Sequence, residues 1–119
     1  KATCDFVARG VDPVKETGLT NLGSITQPIS DAVHMERLTK DRRDASNPEF
    51  VDRVAAINVR NMMKWIVDNS PTLASMVANG EIAIVGAMYD VATGRVEYLD
   101  GASVAGQVAP PAVAAGARR

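Results

Sequence analysis

The sequence predicts an α/β protein. Three observations carry that expectation. Apolar residues recur at spacings of three and four over several stretches, as amphipathic helices require. The run Ile82-Ala-Ile-Val-Gly-Ala-Met-Tyr89 is apolar on both faces, as a strand covered on both sides of a sheet would be. Asp90, Thr93 and Gly94 then supply hairpin turn chemistry ahead of an alternating stretch, Arg95 to Leu99.

The helices follow in order. Residues Lys1 to Arg9 carry a helical pattern, with Ala2, Phe6 and Arg9 on one side and Gly10 as the stop. No capping residue precedes this helix, so the chain is expected to start inside an element, as a fragment would. A short processed N-terminus is the alternative. Val11 to Gly18 reads as a turn and loop broken at Asp12-Pro13. Leu22, Ile25, Ile29 and Val33 form one stripe interrupted by Pro28, which predicts two short helices or one kinked helix. Lys40 to Ser46 reads as a charged loop, with the Lys40–Asp44 charges solvated.

The strongest helix is predicted over Pro48 to Asn69. Ser46 and Glu49 have capping-box spacing, and Asn47 before Pro48 is an alternative cap. Val51, Ala55, Asn58, Met62, Trp65 and Ile66 fall on one face, widened by Phe50, Val54 and Ile57. Met62, Met63 and Trp65 read as core or interface residues. Ser70-Pro71 ends this helix and caps the next, whose buried face is Leu73, Met76 and Val77 and whose end is Gly80.

Composition narrows the function classes. A chain of 119 residues fits one small domain, and 46% hydrophobic residues are enough for a core. A net charge of −1 gives no basic surplus for nucleic acid or an anionic membrane. Aromatics at 4% argue against stacking platforms for single strands. A single cysteine, Cys4, excludes an internal disulfide and points to a reducing compartment, most simply the cytoplasm. No apolar run approaches the roughly 18–20 residues of a membrane span, and no signal peptide is read at the start.

Two residues stand out as candidates for positioning or structural roles. Asn58 lies on an apolar stripe, where a buried amide must be hydrogen-bonded. It either ties its helix to a neighbouring loop or supports an active-site loop from behind. Gly86 interrupts an apolar strand, which suggests close backbone approach by another segment. Cys4, Asp5 and His34 are the tempting metal set. Cys4 and Asp5 are adjacent, so their side chains point about 100° apart on a helix, and a zinc site built from these three is not expected. The helices also have too little sheet to cover. A two-stranded hairpin is marginal alone in water, so further strands are expected from upstream or from a partner.

The pattern from Asn58 to Leu99 resembles the C-terminal part of β-class carbonic anhydrases. The resemblance rests on Asn58-Val59, Ser70-Pro71, Gly80, the stretch Ile84 to Asp90 (IVGAMYD), Thr93-Gly94 and Arg95 to Leu99. Lys1-Ala2 is similar to the Lys-Ala just past that family's His-x-x-Cys-Gly motif. The resemblance covers about residues 1–100 and implies helices packed on a mainly parallel sheet with a C-terminal antiparallel hairpin strand. Residues 101–119, rich in Ala, Gly and Pro, are expected to form a flexible tail.

The family's activity is the zinc-dependent, reversible hydration of carbon dioxide to bicarbonate, a lyase reaction. The family's zinc ligands come from Cys-x-Asp-x-Arg and His-x-x-Cys segments, and neither segment matches a position here. The resemblance therefore implies that the intact parent binds zinc and that this chain alone binds none and is inactive. Its expected partners are the missing N-terminal half and a second copy, as homodimer or higher. Two other readings stay open: a non-catalytic interaction module, and a carbonyl sulfide or carbon disulfide hydrolase of the same fold.

Overall fold

The computed structural model describes residues 1–104, with side chains through Leu99. The chain order is α1 (Ala2–Arg9), α2 (Pro13–Thr17), α3 (Leu22–Met35), α4 (Pro48–Asn69), α5 (Pro71–Ala78), β1 (Ile84–Tyr89) and β2 (Val96–Val104). It falls into two compact units, Lys1–Trp65 and the chain from Ile66 onward. Helices thus combine with a small antiparallel sheet.

In the first unit, the core is Cys4, Ala32, Val33, Phe50 and Val54, with Val7, Ile29, Val51 and Ile57 packed against it. One stripe each from α1, α3 and α4 supplies it. The buried face of α4 is Phe50, Val54 and Met63. Trp65, expected in a core or interface, is 58% exposed in this chain. The apolar positions on this helix form a band wider than its neighbours cover, so the band's edge stays outside.

One local reading is corrected. The Asp12-Pro13 break opens the short helix α2: Asp12 Oδ1 accepts from the Val14 N–H at 2.9 Å, and proline takes the first turn where no N–H is needed. Of the two forms expected around Pro28, the structure has the single helix, α3, running from Leu22 to Met35. At the start of α4 the choice falls on Asn47. Its Oδ1 accepts from the Phe50 N–H at 3.3 Å, while the Ser46 N–H turns back to Asp44 Oδ1 at 2.8 Å.

In the second unit, Ser70 Oγ caps α5 by accepting from the Leu73 N–H at 3.3 Å. Of the expected face, Val77 is buried, and Leu73 and Met76 are half-buried. The helix ends with Glu81 N–H on the Met76 carbonyl (2.9 Å) and Gly80 N–H on the Val77 carbonyl (3.0 Å). This paired closure requires a left-handed residue, and Gly80 has φ +73°.

β1 and β2 pair antiparallel. Between them the Asp90 carboxylate accepts from the Ala92 N–H and the Thr93 hydroxyl, both at 2.8 Å. These bonds hold its carboxyl below the ordinary aspartate value. β2 continues to Val104, beyond the Leu99 end that the alternation suggested. The rest of the segment read as a tail, 105–119, lies outside the described residues.

Candidate functional site

The two residues singled out from sequence occupy unusual places. Asn58 sits on α4, where its Oδ1 is buried with no hydrogen-bond partner among the described residues. A buried acceptor left unpaired costs about 1–3 kcal/mol, so this atom is an exception that needs a reason. Gly86 is buried in β1 at a break in register. Val85 pairs with Ser103 and Ala87 with Tyr98, so two steps along β1 face five along β2. The extra residues lie on β2, so Gly86 marks the point on β1 where the ladder is interrupted.

The tempting ligand set does not assemble. Cys4 is buried in the core of the first unit, and burial pushes its thiol above the ordinary value. That disfavours the thiolate a metal needs. Asp5 Oδ1 accepts from the Ala45 N–H at 2.9 Å, tying α1 to the loop before α4. His34 is exposed, with Nδ1 2.7 Å from the Ser30 carbonyl. A carbonyl can only accept, so Nδ1 carries the proton. Among the described residues, no three His, Cys, Asp or Glu side chains lie together as a metal site would need. The described residues do not fit a catalytic zinc, which takes three protein ligands and an open position.

Sequence reading missed the most developed polar cluster. Glu36 ends α3 and is 2% exposed. Its Oε1 accepts from the Leu38 N–H (2.9 Å) and the Thr39 N–H (3.0 Å), and its Oε2 accepts from Arg43 at 2.7 Å. Arg43 also donates to the carbonyls of Thr39 (2.9 Å), Val33 (2.8 Å) and Glu36 (2.8 Å), and lies 4.9 Å from the centroid of the Phe50 ring. Arg43 therefore caps the open carbonyls at the end of α3 and neutralises the buried carboxylate. Burial pushes the Glu36 carboxyl up. The bonds from Thr39, Leu38 and Arg43 outweigh that and hold it below the ordinary glutamate value. The Lys40–Asp44 charges are thus not all solvated. The only available signal was a glutamate seven residues before an arginine, which is not specific.

Among the described residues, no helix is long and apolar enough to cross a membrane. Neither the curated proteins nor the solved structures give a match to this chain. A family model described as carbonic anhydrase matches residues 2–96, in keeping with a portion of the β-class enzyme, and the chain belongs to the carbonic anhydrase family.

Proposed function

We propose that this chain is part of a zinc-dependent β-class carbonic anhydrase that interconverts carbon dioxide and bicarbonate in the cytoplasm. The family match over residues 2–96 carries the reading. On this reading the zinc ligands lie in a part of the protein preceding Lys1. This chain supplies scaffold, the edge of the sheet and a dimer surface, and is inactive by itself.

Two features support a missing complement. Among the described residues β1 pairs on one edge only, and its Val85 and Tyr89 are exposed. Parallel strands added at the second edge would complete a sheet that a lone hairpin does not make stable. The unpaired Asn58 Oδ1 would receive a donor from the missing part of the protein, as a group supporting the zinc loop from behind. Exposed Met35 and Leu38 are suited to a subunit contact.

Two measurements test the proposal. After dialysis against zinc, the isolated chain is expected to retain no stoichiometric metal and to hydrate carbon dioxide no faster than buffer. A tightly held zinc would overturn the placement of the site. The coding region upstream of Lys1 is expected to encode Cys-x-Asp-x-Arg and His-x-x-Cys-Gly; a start codon or an unrelated domain there would overturn the enzyme reading.

Asn58 gives a sharper local prediction. Asn58→Leu keeps the shape and removes the unpaired acceptor, so the chain alone should be as stable or about 1 kcal/mol more stable. A urea midpoint that falls by the equivalent of 1 kcal/mol or more would mean the amide is already well used within this chain.

A further inference from the structure

We infer that the hollow at the C-terminal end of α3 binds an oxyanion of the phosphate class. The hollow is open, has a volume of about 380 Å³ and is lined by His34, Glu36, Arg37, Thr39, Lys40 and Arg43. Its charges do not all serve the fold. Glu36 and Arg43 neutralise each other at 2.7 Å. Arg43 spends both terminal nitrogens on Glu36 and on the carbonyls of Val33, Glu36 and Thr39, which leaves only its Nε–H. Arg37 and Lys40 are exposed and form no ion pair among the described residues.

The ordinary explanation for cations here is the negative end of the α3 dipole. Arg43 already fills that role through two direct bonds to carbonyls at the helix end. Arg37 and Lys40 are therefore surplus to it, and together they leave the lining two positive charges in excess. Asp41, the carboxylate next to Lys40 in sequence, does not line the hollow.

The loop is also preformed. Glu36 fixes the N–H groups of Leu38 and Thr39, Arg43 fixes the Thr39 carbonyl, and Arg53 donates to Thr39 Oγ1 at 3.1 Å. Arg42 is held at φ +50°, a left-handed conformation uncommon outside glycine. Two cations carried on a fixed loop lose less freedom on binding than two on a floppy one. A dianion such as hydrogen phosphate matches their charge, and arginine suits its oxygens through paired N–H donors.

The test is a titration of the intact chain with sodium phosphate, followed by amide NMR shifts and compared with sodium chloride at equal ionic strength. Saturable shifts centred on residues 34–43 are expected with phosphate only. Arg37→Gln and Lys40→Gln should each weaken binding about tenfold. Lys15→Gln, on α2, removes a charge away from the hollow and should leave the affinity unchanged. Equal shifts in chloride, unsaturable shifts, or equal weakening by Lys15→Gln would overturn the inference. None of these outcomes depends on the chain's role in carbonic anhydrase.

Discussion

Arg43→Ala is expected to destabilise the first unit by about 3 kcal/mol, read as a fall in the urea midpoint of helical circular dichroism. The reason is what stays behind. Glu36, 2% exposed, would lose its counter-charge while keeping the donors of Leu38 and Thr39. The carbonyls of Val33 and Glu36 would lose their capping donor as well. Arg43 is itself 33% exposed, which places the estimate at the low end for a broken buried pair. Arg43→Lys should recover less than half, because one ammonium cannot reach a carboxylate oxygen and three carbonyls at once. A loss below about 1 kcal/mol in Arg43→Ala would mean that water replaces the guanidinium freely and that the clasp is ornamental.

The same cluster predicts a pH dependence whose sign is fixed. Glu36 has a folded-state pKa below its unfolded value. Its stabilising contribution is therefore complete above the unfolded value, about 4.3, and disappears as the pH falls through the folded value. Asp44 and Asp90 are also held below their ordinary values, so they add to the acid loss. Glu36→Gln isolates one contribution: its stability should fall less steeply below pH about 4.3 than that of the natural chain.

What could be read in the sequence was local. Ser70-Pro71, Asn47-Pro48 and the Thr93-Gly94 turn act through bonds spanning two to four residues, so they are written in consecutive letters. Asn58 was legible because a polar residue on an apolar stripe breaks a period. That its oxygen has no partner was not, since this depends on what surrounds α4 in space. Asp12-Pro13 misled because the same pair opens a helix or ends one, and only the following turn decides. The Glu36–Arg43 clasp was hidden for a different reason. Seven residues separate its ends, and nothing in a run of charged residues says which one the loop folds inward. Trp65 shows the limit of a stripe: periodicity names a face, while the area the neighbours can cover decides how much of that face is buried.

Phe50→Ala is expected to be at least as damaging, at about 3–5 kcal/mol. The chain has five aromatic residues, and Phe50 is the only one buried, at 0% exposure. It packs with Cys4, Ala32, Val33 and Val54, all smaller than itself, so no neighbour is large enough to fill the space its ring would leave. A unit of this size has little stability in reserve, and Phe50→Ala should cost most of its helical signal at room temperature. Phe50→Leu keeps most of the volume and should retain the fold with a smaller loss. The ring is also the floor under the Arg43 guanidinium, at 4.9 Å. The two substitutions should therefore couple. In Arg43→Lys combined with Phe50→Leu, both mild enough to stay folded, the losses should fall short of their sum by about 0.5–1 kcal/mol. Strict additivity would mean that the ring packs against the core without steadying the arginine, and that clasp and core are independent supports of the α3–α4 connection.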